Sequence, residues 1–318
     1  MTGNISTTVG SQFRTMSPTI FVVAATGTLG KALALDLRKI GWNVHATVRN
    51  PTSPAATELA NAGVKLFPGD WDNEKALRDG MIGCDGLFLN LMPSFNDWEA
   101  DVRQGKTIIN IAKASGIKQL VHSTGIIDMV DDFEPGSLVA VLLNNKKLVE
   151  DAARAADFDA YTILRPAAFM ANWLGAKLVM CPGLVENGTF ETAYKPDTVL
   201  PLVDEHDVAA FSIAAFKDPT RFDGQEIAVA SEARTVEEIL QLLSQASGRQ
   251  LKAQYLPDEE ISEKAKENIF LPGQLASRKM FRFFNIDDMA KWGIPLHTFP
   301  EFLKREKASV EQTYNQRQ

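Results

Sequence analysis

Cysteine is scarce in this chain of 318 residues: only Cys84 and Cys181 occur, without metal-ligand spacing. This scarcity excludes a disulfide framework, predicts no metal site and favours two inert thiols in a reducing, cytoplasmic location. Long apolar runs are also missing, and no segment reaches the roughly 18 residues of a membrane span. Lysine and arginine form no dense block, and the formal net charge is −7. We therefore expect neither nucleic acid nor an anionic membrane as a partner.

The rest of the composition is ordinary for a globular protein, with 45% hydrophobic and 23% charged residues. The first 17 residues differ because they are polar, rich in serine and threonine, and lack the apolar centre of a secretory signal. We predict that residues 1–17 form a disordered leader.

The most informative stretch begins at Thr19, where an apolar, β-branched run leads into a turn of small residues and an Ala/Leu-rich segment, 31–40. Strand, tight turn and helix in this order are typical of a dinucleotide-binding βαβ unit, in which a pyrophosphate meets the helix N-terminus. The first glycine of the usual pattern is replaced here by Ala24. The residues predicted to contact the cofactor at this turn are Ala24, Ala25, Thr26, Gly27, Thr28, Leu29 and Gly30.

A second strand-like run, 42–48, ends in Arg49, about twenty residues beyond the glycines. An NAD enzyme carries an acidic residue at this position for the ribose hydroxyls, whereas an arginine suits the 2′-phosphate of NADP. The pattern therefore predicts an NADP site that includes Arg49. The alternative is that Arg49 is a solvated residue at a strand end.

Strand-like and helix-like segments then alternate as far as Pro166, with strands expected near 64–67, 86–91, 119–123 and 161–164. This alternation predicts an α/β fold with a doubly wound parallel sheet, a Rossmann domain spanning residues 18–166. Turn signals and shorter elements follow, and they predict a smaller substrate-binding lid over residues 167–318. A helix and a strand within about 198–232 are expected to return to the main sheet.

Several short motifs occur in an order and spacing that are specific when taken together: Ala-Ala-Thr-Gly-Thr-Leu-Gly, Thr-Val-Arg-Asn-Pro, Pro-Gly-Asp-Trp, Asn-Lys-Lys-Leu-Val-Glu and Tyr-Thr-Ile-Leu-Arg-Pro. With them, the chain resembles the NmrA-like group of atypical short-chain dehydrogenases/reductases, which includes isoflavone-reductase-like and quinone-reductase-like proteins. The likeness covers about residues 18–255. It implies a preference for NADP, in agreement with the interpretation of Arg49.

The resemblance also implies a lysine four residues before a glutamate, which is Lys146 before Glu150. Many short-chain dehydrogenases pair this lysine with a tyrosine four residues earlier, which donates a proton to the substrate. Here that position is Leu142, and the four tyrosines of the chain lie elsewhere. Lys146 is therefore the predicted catalytic residue and a cofactor contact, although its neighbour Lys147 leaves the register open.

Polar or aromatic residues near predicted strand ends complete the candidate site. Each has an alternative, purely structural role, such as capping a turn or packing in the core. His122 is interpreted as a core histidine. The further cofactor candidates are Asp70, Asn90 and Phe169, with Asn172 as a second wall of the nicotinamide; the further catalytic candidate is Thr124, next to Ser123.

The resulting prediction is an NADPH-dependent oxidoreductase that reduces a small aromatic or conjugated carbonyl compound, and the resemblance supplies the substrate class. Two alternatives remain open because the usual tyrosine is absent. One is a non-catalytic NADP(H)-sensing regulator of a protein partner, and the other is a non-redox isomerase or cyclase on the same fold. The sequence predicts no oligomeric state.

Overall fold

The structure, a computed structural model, describes residues 17–94 and 96–315. The predicted leader, residues 1–17, lies outside the described residues except for Ser17. The strands in this part of the chain are β1 (Thr19–Val22), β2 (Asn43–Val48), β3 (Lys65–Pro68), β4 (Gly86–Asn90), β5 (Gln119–Ser123), β6 (Ala160–Pro166), β7 (Ala168–Phe169), β8 (Thr189–Thr192), β9 (Val199–Val203), β10 (Gln225–Val229), β11 (Glu232–Thr235) and β12 (Lys252–Tyr255).

Helices connect most of these strands, and short 3₁₀ turns lie among them at Val130–Asp132, Met170–Trp173, Gly175–Met180, Met280–Phe283 and Asp287–Trp292. The α-helices are α1 (Thr28–Lys39), α2 (Pro54–Asn61), α3 (Glu74–Met81), α4 (Ala100–Ala114), α5 (Leu138–Ala155), α6 (Glu205–Lys217), α7 (Pro219–Phe222), α8 (Val236–Ser247), α9 (Asp258–Lys264), α10 (Leu271–Ser277), α11 (Phe299–Arg305) and α12 (Lys307–Tyr314). None of the described helices is both long and apolar enough to cross a bilayer.

Seven strands form one parallel sheet in the order β10-β6-β5-β4-β1-β2-β3. The chain builds outward from β1 to β3, crosses back to β4 beside β1, and then builds outward in the other direction. The predicted doubly wound parallel sheet is confirmed. The strand order reverses between β1 and β4, which is where open α/β sheets bind their ligands, at the carboxyl ends of the strands.

Both faces of the sheet are covered, as alternate residues of β1 show. Ile20 and Val22 are buried in one cluster with the apolar faces of α1 and α6. Phe21 and the residue after the strand, Val23, are buried in a second cluster with α3, α4 and α5. Side chains of a strand alternate between faces, so an entirely apolar run is required where helices pack on both sides.

The C-terminal part of the chain forms a smaller lid with its own core. Strands β11, β9 and β7 form a three-stranded sheet, and β12 pairs with β8. Helices α8, α11 and α12 cover these strands through buried residues that include Leu240, Phe299 and Tyr314. Within 198–232, α6 packs on α1 and β10 extends the main sheet, whereas β9 belongs to the lid.

Two helices differ from the sequence-based expectation. The first helix begins at Thr28 and not at Lys31, because the extended Gly27 serves as its N-cap and places Gly30 inside the first turn. Helix α2 was not predicted, although Ser53 caps it by accepting a hydrogen bond from the Ala56 N–H at 3.3 Å. A serine followed by a proline is a usual helix start, so the signal for α2 was present.

A fully buried carboxylate joins α5 to the sheet. Glu150 accepts hydrogen bonds at 2.7 Å from both Arg154 and Arg165, and its exposed fraction is 0%. The same two arginines donate to Glu226 of β10 at 2.7 Å. The network ties α5, β6 and β10 together one helical turn after Lys146.

We expect Glu150→Gln to lower the free energy of unfolding by about 3 kcal/mol, since removing one member of a buried ion pair leaves its partners poorly compensated. Thermal and urea unfolding, followed by circular dichroism, measure this loss. Asp151→Asn is the matched control, because Asp151 is exposed and its ion pairs lie at the surface; it should change stability by less than about 1 kcal/mol. Equal effects of the two variants would contradict this prediction.

Candidate active site at the carboxyl ends of the sheet

The turn after β1 is compact because its backbone folds back on itself. The Gly27 N–H donates to the Ala24 carbonyl at 2.8 Å. Ala24 has φ of 56°, a left-handed conformation that costs a residue with a side chain roughly 1–2 kcal/mol. This strain explains why the usual motif has glycine here, and a methyl group is small enough to be accommodated.

The two glycines of the turn have different roles. A β-carbon on Gly30 would lie 2.2 Å from the Ala24 carbonyl oxygen, so the close packing of α1 against the turn requires glycine. A β-carbon on Gly27 would meet only that oxygen, at 3.3 Å, and Gly27 itself is exposed. The contact at Gly27 is tight but far less severe than the clash at Gly30, so the packing of the turn depends mainly on Gly30.

The start of α1 fits a pyrophosphate. No side chain caps it, and the first intrahelical bond runs from the Lys31 N–H to the Gly27 carbonyl at 2.9 Å. The N–H groups of Thr28, Leu29 and Gly30 thus precede the helical hydrogen-bond ladder and have no acceptor within it. Ala25 is buried below the turn and Thr26 is exposed above it. Such a helix start binds anions through its N–H groups and its positive dipole end.

At the ends of β2 and β3, the structure places Arg49 and Asp70 on the surface. Arg49 has no hydrogen bond or ion pair within the described part of the chain, so its guanidinium is available to a phosphate. Asp70 accepts a hydrogen bond from the Asp72 N–H at 3.1 Å, which is the geometry of a turn-capping aspartate. Asp70 therefore caps this turn, and a contact with adenine would be a second role.

The ends of β4 and β5 lie side by side, with Asn90 paired in register with Ser123. Thr124 follows, and its N–H donates to the Leu164 carbonyl at 2.9 Å. The Thr124 hydroxyl is buried and has no partner among the residues that the structure describes. A ligand bound at this edge of the sheet would supply the missing hydrogen-bond partner.

His122 lies inside the sheet and not at its edge. Its Nδ1 lies 3.0 Å from the Leu89 carbonyl oxygen, and its ring is 3% exposed. Burial lowers the pKa of His122 to about 4, so the imidazole stays neutral. This environment agrees with a core histidine, although Nε2 has no partner within the described residues.

The two neighbouring lysines of α5 face different surroundings. Lys147 is exposed and pairs with Asp151 at 2.7 Å. Lys146 packs over Gly125, where a β-carbon would lie 3.6 Å from Cδ of the lysine. It forms no hydrogen bond or ion pair in residues 17–94 and 96–315. Burial lowers the pKa of Lys146, and the charges of Asp101 and Glu150 partly offset this effect.

Lys146 is the cationic residue of an apolar pocket of about 480 Å³, a volume within the range of small-molecule sites. The main domain supplies Gly125, Leu142 and Lys146, and the lid closes the other side. Leu142 lines the pocket where the usual tyrosine would lie, so no proton donor is present there. The segment after β6 and the lid contribute Phe169, Asn172, Trp173, Phe190, Tyr194, Phe270, Gln274 and Ser277.

Several of these residues were missed by sequence reasoning. Trp173, Tyr194 and Gln274 reach the pocket from three separate elements of the lid, and no local motif marks them. A second cavity of about 900 Å³ extends from Thr28 to α11 and α12, and the buried Glu205 lines it. One Glu205 oxygen has no partner within the described residues, and burial raises the pKa of this carboxyl.

Comparison with known proteins places this geometry in a family. An NAD(P)H azoreductase from Xenophilus azovorans is 26% identical over 302 residues, covering 91% of this chain and 98% of the relative. The crystal structure of NmrA, a negative transcriptional regulator, in complex with NADP has a TM-score of 0.72 and 23% identity, covering 93% of this chain and 97% of that one.

The NADPH-dependent quinone oxidoreductase of Escherichia coli, crystallised with NADPH, has a TM-score of 0.70 and 22% identity, covering 90% of this chain and 99% of that one. Similarities at this level of identity establish the shared fold. The sequence profile of the NmrA-like family matches residues 16–299, most of the chain. The protein described here therefore belongs to the NmrA-like family.

Proposed function

We propose that this protein is an NADPH-dependent reductase of small aromatic or conjugated carbonyl compounds. The observation that carries the proposal is the unpaired Lys146 ammonium in an apolar pocket at the carboxyl edge of the sheet. That edge also holds the glycine turn and the free Arg49. Several relatives in the family bear reductase names, including the azoreductase and an isoflavone reductase homologue of Zea mays.

The residues present fit an NADP molecule. The first turn of α1 would hold the pyrophosphate and Arg49 the 2′-phosphate, while Phe169 and Asn172 would flank the nicotinamide. Asn90 would lie beside the ribose. When bound, NADPH supplies the hydride that a carbonyl carbon accepts.

The protein contributes charge and exclusion of water. Lys146 would donate a hydrogen bond from Nζ to the substrate oxygen, where negative charge develops, and then a proton to the same oxygen. Its lowered pKa makes it a better acid than an ordinary lysine. The unpartnered Thr124 hydroxyl would hydrogen-bond to the substrate or the ribose. Apolar walls strengthen both interactions because little water screens them.

A test of this function follows NADPH consumption, by absorbance, with a panel of aromatic aldehydes, enones and quinones. Turnover of at least one class, lost in Lys146→Met, supports the proposal. A second candidate is a dinucleotide sensor without turnover, favoured by Leu142 in the place of the usual acid. Tight NADPH binding with no consumption across the panel would select the sensor.

The two glycines of the turn should separate binding from folding. We expect Gly27→Val to abolish NADPH binding, because the new side chain blocks the pyrophosphate. The thermal midpoint should fall much less than in Gly30→Ala, because φ of −85° suits valine and the contact of the new β-carbon with the Ala24 carbonyl oxygen is 3.3 Å and not 2.2 Å. Gly30→Ala should instead lower stability by about 1–3 kcal/mol through its clash with the Ala24 carbonyl. Calorimetric titration and thermal unfolding measure the two effects. Normal NADPH affinity in Gly27→Val would show that the pyrophosphate does not bind at this turn.

Cofactor choice should depend on Arg49. In Arg49→Asp we expect NADPH affinity to fall by about one to two decades and preference to move toward NADH, since an arginine–phosphate hydrogen bond contributes roughly 1.5–3 kcal/mol. Lys217→Asp changes the net charge equally at the exposed end of α6 and serves as the control. Equal affinity of the unmutated protein for NADPH and NADH would contradict the assignment of Arg49 to the 2′-phosphate.

Lys146→Met should reduce kcat by about 10²–10⁴-fold, the contribution of a positioned general acid, while the Kd for NADPH changes little. Lys147→Met, which alters an exposed neighbour, should leave both unchanged. Because the pKa of Lys146 is lowered, its ammonium loses the proton at a lower pH than an ordinary lysine does. As the pH rises through that pKa, the general acid disappears and kcat should fall. Lys146→Arg should extend residual activity to higher pH. Unchanged kcat in Lys146→Met would show that Lys146 is not the general acid.

A further inference from the structure

The second cavity, which holds about 900 Å³, borders a segment that also forms one wall of the candidate pocket. Its volume lies within the range of small-molecule sites. The segment 171–182 contributes residues to both spaces, and α11 and α12 supply the far side of the second cavity. Of the residues assigned to the cofactor or the reaction, only Thr28 lines it. The second cavity is therefore available to a ligand of its own.

The walls of the second cavity combine apolar side chains with carboxylates. The apolar residues include Leu174, Leu178 and Phe302. Among the described residues, three glutamates line the cavity and one lysine, the exposed Lys177. A carboxylate beside an apolar wall attracts a cation and repels an anion more strongly than it does in water. This lining therefore suits a ligand that has an apolar body and a positive charge.

The three glutamates of the second cavity differ in what satisfies them. Glu306 uses both oxygens within the protein, accepting from Arg305 Nε at 3.1 Å and from the Ser309 hydroxyl at 3.0 Å. Glu186 is exposed, so water solvates it. Glu205 is 8% exposed, and its Oε2 has no hydrogen-bond partner within the described residues. Glu205 is thus the glutamate with an acceptor that a ligand in this cavity would satisfy.

The protein compensates the charge of Glu205 only in part. Within residues 17–94 and 96–315, its ion pair is a long one, 3.8 Å from Oε1 to Nη2 of Arg305. Both Nη atoms of Arg305 donate to Asp204 instead. Burial raises the pKa of Glu205, and a hydrogen bond from its own backbone N–H offsets part of this effect. A bound cation would supply the compensation that the buried carboxylate lacks.

We propose that the second cavity binds a small organic cation, whose ammonium group donates a hydrogen bond to Glu205 and whose apolar body packs against Leu174 and Phe302. This site is separate from the pocket of Lys146 and requires no turnover. Thr28, at the start of α1, also lines the cavity. A cofactor pyrophosphate at that helix start would add negative charge nearby and favour a cation further. Only this last contribution depends on the proposed cofactor.

The first experiment titrates the full chain by calorimetry, with and without NADPH, using two probes that share one body. The probes are 2-phenylethylamine, which carries an ammonium group, and 2-phenylethanol, which is neutral. We expect the amine to bind at least tenfold more tightly in both states, because a hydrogen bond between charged groups is stronger than one from a hydroxyl. Equal affinity for the two probes, or no binding of the amine at millimolar concentration, overturns the proposal.

Two charge variants test the assigned contact. In Glu205→Gln, which keeps the size of the side chain, affinity for the amine should fall about tenfold or more, whereas affinity for the alcohol should change less than about twofold. Glu186→Gln removes the same charge from the exposed rim and is the matched control. It should change either affinity less than about twofold. Equal losses in the two variants would indicate a general effect of net charge and overturn the assignment of Glu205.

A steric variant keeps the test valid if Glu205→Gln fails to fold. Ala176 is exposed and lines the second cavity, so a phenylalanine there occupies the cavity without entering a core. Ala176→Phe should weaken both probes about tenfold, while NADPH affinity and the thermal midpoint stay nearly unchanged. Unchanged affinity for the amine in Ala176→Phe also overturns the proposal, since the amine would then bind elsewhere on the protein.

Discussion

The burial of Glu150 is the constraint on which the rest of the structure depends. A carboxylate with no exposure is stable only with cationic partners, and Arg154 and Arg165 supply them from α5 and β6. Both arginines also bind Glu226 of β10, so the helix and two strands of the sheet meet at one network. Lys146 lies one helical turn before Glu150 on the same helix and lines the pocket.

The candidate site combines unpaired polar groups with apolar surroundings. The Thr124 hydroxyl is buried without a partner within the described residues, and the Lys146 ammonium, which lines the pocket, forms no hydrogen bond or ion pair there. Each such group lowers the stability of the unliganded protein, and each becomes favourable when a ligand satisfies it. The position of the usual tyrosine is occupied by Leu142. The candidate pocket is therefore lined by groups from both the main domain and the lid.

Much of the main domain could be predicted from local sequence. The apolar run of β1 and the strand β5 follow from patterns within a few residues. The same holds in the lid for the capping of α8 by Thr235. The start of α1 was placed three residues late, because the extended conformation of Gly27 is set by its contact with the turn. Family membership was also predicted correctly, from motifs spread over most of the chain.

The sequence by itself determined the doubly wound sheet, the glycine turn and the presence of Arg49 beyond it, because each depends on residues close together in the chain. Tertiary structure decided which of Lys146 and Lys147 faces the pocket, since the two share one helix and differ only in what packs beside them. It also brought Tyr194 and Gln274 to the same pocket. Contacts between distant segments follow from how the lid folds over the sheet, and no local pattern encodes that arrangement.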